Sequence, residues 1–141
     1  MAELLKMLVS EGIGFLFERA RERRVVVHEI DIALTRWKNI YANPADAPTP
    51  PRGGEREKAW DNLRTLASRL IAATDALHRR LLGRIISRIS KSDASEASGL
   101  LFGISNSLYH PFGARNERLG TQNVDDAERI RHRHLLRLDG T

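Results

Sequence analysis

One apolar stripe dominates the first part of the chain. Steps of three and four residues from Val9 land on Ile13, Leu16, Ala20, Arg23, Val27, Ile30, Leu34, Trp37 and Tyr41, and only Arg23 breaks the run. That spacing follows one face of an α-helix. A competing two-residue alternation, Ile30-Asp31-Ile32-Ala33-Leu34 behind Val25-Val26-Val27, is the pattern of a strand, but it is far shorter than the helical stripe. At 1.5 Å per residue, a helix of about forty residues reaches on the order of 60 Å. Gly12 and Gly14 are the expected kink points near its start.

The next segment cannot continue a helix. Four of the five prolines and two glycines fall between Asn43 and Gly54, so 43–54 reads as an extended connector. Its Pro48-to-Pro51 spacing also fits a PxxP ligand, although a link between helices is the simpler use. Beyond it the same stepping finds Trp60, Leu63, Ala67, Leu70, Thr74, Leu77 and Leu81, then meets Arg84 and Arg88. The apolar face moves to Leu82, Ile85, Ile86 and Ile89, with Gly83 at the phase slip. Two long helices of similar length joined by such a connector make an antiparallel hairpin with a heptad-type seam.

Two shorter helices are expected after it. Asp93 followed by Glu96 is a start signal, with Ala94, Ala97, Leu101, Ile104 and Leu108 on the apolar side. Ser95, Gly99, Gly103 and Ser107 recur every four residues, a smooth row that predicts close approach of another helix. His110-Pro111-Phe112-Gly113 ends this helix, and Ala114 to Gln122 reads as an exposed loop. Asn123 is the expected cap of a last helix carrying Val124, Ala127, Ile130, His134 or Leu135, and Leu138. Asp125, Asp126 and Glu128 come early and Arg133 and Arg137 late, which matches the helix dipole. Asp125 with Arg129, and Glu128 with His132, lie one turn apart.

The expected fold is therefore all-α: a long antiparallel helical hairpin with two shorter packed helices, a helical bundle forming one domain over residues 1–141. At 141 residues, folding removes roughly two-thirds of the unfolded chain's surface from water, enough for a real core. The absence of cysteine excludes disulfide scaffolds, thiolate metal sites and cysteine nucleophiles. With no disulfide and no signal peptide, a cytoplasmic protein is the simplest expectation.

Catalytic signals are weak. Gly12-Ile13-Gly14 lacks the third glycine of a dinucleotide loop and follows no strand. Gly103-Ile104-Ser105-Asn106-Ser107 lacks the last glycine of a nucleophile elbow. His28-Glu29 opens like a zincin helix, but Ile32 stands where a second histidine is needed. His132 and His134 point about 200° apart on a helix, so they could share a metal only between chains. His28 and Asp31, three apart, could touch as a surface pair. No nucleophile, base and anion hole come together, and neither an enzyme, a cofactor nor a small-molecule substrate is expected.

The remaining signal is basic. The chain carries a net charge of +5 and a pI near 10.2, and its cations are mostly arginine. The excess concentrates in two places. From Leu77 to Lys91 there is no acid, and Arg79, Arg80, Arg84, Arg88 and Lys91 could follow a phosphate backbone. Arg19, Arg21, Arg23 and Arg24 follow an apolar stretch containing Phe15 and Phe17, which fits an interfacial anchor at a membrane or packing against a partner. The stretch is too short, and too interrupted by Lys6 and Glu11, to span a bilayer. The leading expectation is a non-catalytic interaction or scaffold protein, dimeric or bound to a helical partner; nucleic-acid binding and peripheral membrane association are the alternatives.

Overall fold

The computed structural model describes residues 2–44, 54–79, 83, 89–109 and 116–135. Helix α1 spans Ala2–Arg36, α2 Lys38–Tyr41, α3 Glu55–His78, α4 Lys91–Ser107 and α5 Asn116–Arg129, which runs on into a π-helical stretch at Ile130–Leu135. The protein is an all-α helical bundle built on an antiparallel hairpin of α1 and α3. Trp37 Nε1 donates to Asn62 Oδ1 at 3.0 Å near the connector, the Arg69 guanidinium pairs with Glu29 further along, and Leu16 clusters with Leu77 at the far end. α4 packs back along α3, where the Ser98 hydroxyl donates to the Ala67 carbonyl at 2.9 Å.

The first stripe folds as its period requires. Leu16, Ala20, Val27, Ile30, Leu34, Trp37 and Tyr41 are buried, and α1 passes through Gly12 and Gly14 without a break. The β-branched residues 25–27 lie within it too, because burial of a stripe this long outweighs their slight preference for strand. The turn at Trp37 is tightened, with Ile40 N donating to the Trp37 carbonyl at 2.9 Å. Of the connector, the ends are described: Arg56 donates to the Asn43 carbonyl at 2.8 Å, so the clasp is close beside the two helix ends it joins.

The second helix differs from expectation. α3 has 24 residues against 35 in α1 and ends at His78, so the hairpin arms are unequal. Gly83 lies against the end of α3: a Cβ built on it would lie 1.9 Å from the Leu77 carbonyl oxygen and 3.5 Å from Leu16 Cδ2, so a side chain cannot fit there. Ile89 is buried, and its carbonyl meets His78 Nε2 at 3.2 Å. Leu81, Leu82, Ile85 and Ile86 lie outside the described residues.

α4 starts one turn earlier than Asp93 suggests. Ser90 is the cap: the Asp93 amide donates to Ser90 Oγ at 2.9 Å, and that hydroxyl donates to Asp93 Oδ2 at 2.7 Å. Ser90→Ala should lower the unfolding free energy by about 1 kcal/mol, read as a shift in the urea midpoint at unchanged slope. The first three members of the small row do not serve as a close helix contact, whereas the fourth, Ser107, is half-buried and donates to Asn123 of α5. Ser95, Gly99 and Gly103 face solvent, and no atom lies within 4 Å of a Cβ built on either glycine. The apolar row Ala94, Ala97, Leu101, Ile104 and Leu108 takes the inward position, and the small row stands on the opposite side.

α5 also starts earlier than expected, at Asn116, so residues 116–122 are helical rather than loop. Asn123 is therefore not a cap. It is 3% exposed, and its Nδ2 donates to the Tyr41 carbonyl at 2.8 Å while its Oδ1 accepts from the Ser107 hydroxyl at 2.7 Å. The polar side chain that could have started a helix instead satisfies a carbonyl left open at the end of α2.

Candidate functional site

Helix α1 outruns its partner. Its stripe meets the last turn of α3 at Leu16, Ala20 and Leu77, and no described part of α3 stands opposite the turns before Leu16. At 1.5 Å per residue that leading arm is about 20 Å long. Val9 and Ile13 belong to the same stripe as the buried Leu16, yet they are 52% and 41% exposed. Phe17, four residues beyond Ile13, is 58% exposed. The three form one row along the helix.

The arginines that follow separate into different environments. Arg19 pairs with Glu22 at 2.8 Å and stacks on Phe15, its guanidinium carbon 5.0 Å from the ring centroid. Arg21 and Arg24 are exposed. Arg21 also lines a surface depression with Glu18, Arg19, Glu22, Val25 and Arg69. Arg23, the one polar member of the stripe, is 4% exposed and turns into the seam. Burial, and secondarily the neighbouring Arg24, lower its guanidinium pKa from the ordinary value.

The hairpin register sets Arg23 level with Ala73 and Thr74, between the large core and the small Leu16–Ala20–Leu77 cluster. Thr74 Oγ1 is buried there without a hydrogen-bond partner. A charged side chain in an apolar seam costs desolvation energy that contacts rarely return in full.

The second basic cluster is only partly described. Arg80, Arg84 and Arg88 lie outside the described residues. Arg79 is exposed, and Lys91 pairs with Asp75 of α3 at 3.0 Å; with His78 they line one surface depression. The acid facing Lys91 comes from before the acid-free run, where a reading confined to that run does not look.

Two features were not legible. Arg64 lies between Trp60 and Phe102, 4.7 Å and 5.1 Å from their centroids, and donates to Asn106 Oδ1 at 2.7 Å. Trp60 and Arg64 signal this by their one-turn spacing, but nothing local signals Phe102. Arg131 joins α5 to α1, with Nε donating to Asp31 Oδ1 at 2.9 Å and an NH2 proton to Thr35 Oγ1 at 2.6 Å. That occupies Asp31, the expected partner of His28. Glu128 does pair with His132 at 2.9 Å, whereas Arg129 meets Asp126, at 3.6 Å, rather than Asp125. His134's side chain lies outside the described residues.

Among the described residues no group of three or more His, Asp or Glu could hold a metal ion, and no helix is long and apolar enough to cross a membrane. Comparisons with family models, with curated proteins and with solved structures found no match.

Proposed function

We propose that this protein is a non-catalytic helical scaffold that binds protein through the leading arm of α1. The observation that supports the reading is the change along a single stripe. The same three-and-four spacing that buries Leu16 and Ala20 leaves Val9 and Ile13 open to water, with Phe17 beside them. Three large apolar side chains on one exposed row suit a helix-in-groove or helix-pairing contact.

The other two readings have less behind them. An interfacial anchor through Phe15 and Phe17 needs both rings on one face, but residues two apart on a helix diverge by about 200°. Phosphate binding draws on Arg79, Arg80, Arg84, Arg88 and Lys91, of which Lys91 is already engaged by Asp75.

The test is photo-crosslinking in cells with a benzophenone amino acid at Phe17. A protein adduct that disappears when Ile13→Glu is added is the expected outcome. No adduct, or one that persists unchanged with Ile13→Glu, overturns the reading.

A further inference from the structure

We propose that the partner of the α1 arm is a second copy of this chain, its arm lying antiparallel across the first. The inference rests on the scaffold reading above and adds the identity and direction of what binds.

The arm has a near-symmetric layout. Val9 and Phe17 stand four residues either side of Ile13, all three exposed on one row. Glu3 and Arg21 are 18 residues apart, five full helical turns, so they share a line beside that row. Both are exposed, and among the described residues neither forms an ion pair within the chain.

A two-fold axis through the Gly12–Ile13 turn makes use of this order. Val9 of each copy comes level with Phe17 of the other, Ile13 meets its own copy, and Glu3 comes within two residues, about 3 Å, of the level of Arg21 twice. In antiparallel helix pairs, positions on the same flank face each other, which the shared line satisfies. Direction follows from charge. Residues 2–14 carry Glu3, Lys6 and Glu11, net negative; residues 18–24 carry Glu18 and Glu22 against four arginines, net positive. Antiparallel pairing sets the negative stretch on the positive one, whereas parallel pairing would stack Arg19, Arg21 and Arg24 on their own copies.

Sedimentation equilibrium of the full chain, with charge-swap variants, tests this. The wild type should dimerise. Glu3→Arg alone and Arg21→Glu alone should each weaken the dimer about tenfold, since each replaces two attractive pairs with two repulsive ones. The double variant Glu3→Arg/Arg21→Glu should restore it. Single variants that dimerise like wild type, or a double variant no tighter than the singles, overturn the antiparallel pairing. A wild type that stays monomeric at 100 µM overturns it too, as does sedimentation of the monomer with phosphatidylserine vesicles.

The Phe17 crosslink separates this inference from the reading beneath it. An adduct of twice the chain mass supports the second copy. An Ile13-dependent adduct of another mass keeps the scaffold reading and overturns the self-pairing, and loss of every adduct overturns both.

Discussion

Replacing Asn123 by Leu should lower the unfolding free energy by about 3 kcal/mol. The side chain has nearly the same size, so the loss comes from hydrogen bonding rather than volume. Its amide nitrogen serves the Tyr41 carbonyl at 2.8 Å, and its oxygen takes the Ser107 proton at 2.7 Å. With Leu present, that carbonyl is buried at the end of α2 without its donor, and leaving such a group unmet costs about 1–3 kcal/mol. Asn123→Asp should be no milder, because a carboxylate cannot donate to a carbonyl. Urea unfolding followed by circular dichroism measures both; a loss under about 1 kcal/mol for Leu would mean that Asn123 does not bridge α2, α4 and α5.

The same substitution, Gly→Ala, should act in opposite directions at two places. At Gly120 a Cβ would lie 2.0 Å from the Ala42 carbonyl oxygen and 3.0 Å from its carbon. Both are backbone atoms, so α5 must move off the end of α2 to make room. We expect Gly120→Ala to cost on the order of 3 kcal/mol. At Gly99 and Gly103 nothing lies within 4 Å, and both sit inside α4 facing solvent. There alanine only restricts the unfolded chain, and each should add about 0.5–1 kcal/mol. A neutral Gly120→Ala, or destabilising changes in α4, would reverse the assignment of inner and outer faces.

Periodicity carried most of the architecture. The α1 stripe from Leu16 onward, the α3 stripe from Leu63 to Leu77 and the apolar side of α4 are buried as their spacing requires, since burial of a long apolar face dominates helix placement. Local chemistry was less reliable at three places, and for different reasons. Ser90 and not Asp93 is the cap because its hydroxyl takes the Asp93 amide proton and in turn donates to the Asp93 carboxylate, which spends Asp93 inside the first turn. Asn123 was drawn into the interior by a carbonyl 82 positions away, which no window around residue 123 contains. Glycine and serine at every fourth position of α4 signalled close packing, yet a smooth row is equally compatible with a solvent face when a stronger apolar row lies opposite.

The candidate site was legible in composition but not in geometry. Arg19, Arg21, Arg23 and Arg24 look alike in the sequence, and yet one stacks on Phe15, two are exposed and one is in the seam. Their separation follows from 100° of rotation per residue against a stripe already claimed by α3. The openness of Val9 and Ile13 depends on where α3 stops. Beyond that end Gly83 lies against the Leu77 carbonyl, a close approach to backbone that the spacing of side chains does not encode.

The central claim is that the leading arm of α1 serves a contact and not this chain's own fold. Comparing the urea stability of wild type and Ile13→Glu/Phe17→Ser, at a concentration where the wild type is monomeric, tests it most directly. Substitutions at exposed positions away from the core should shift the unfolding free energy by no more than about 0.5 kcal/mol, and the same variant should no longer bind its partner. A drop of about 3 kcal/mol would place these side chains in the protein's own core and contradict the account.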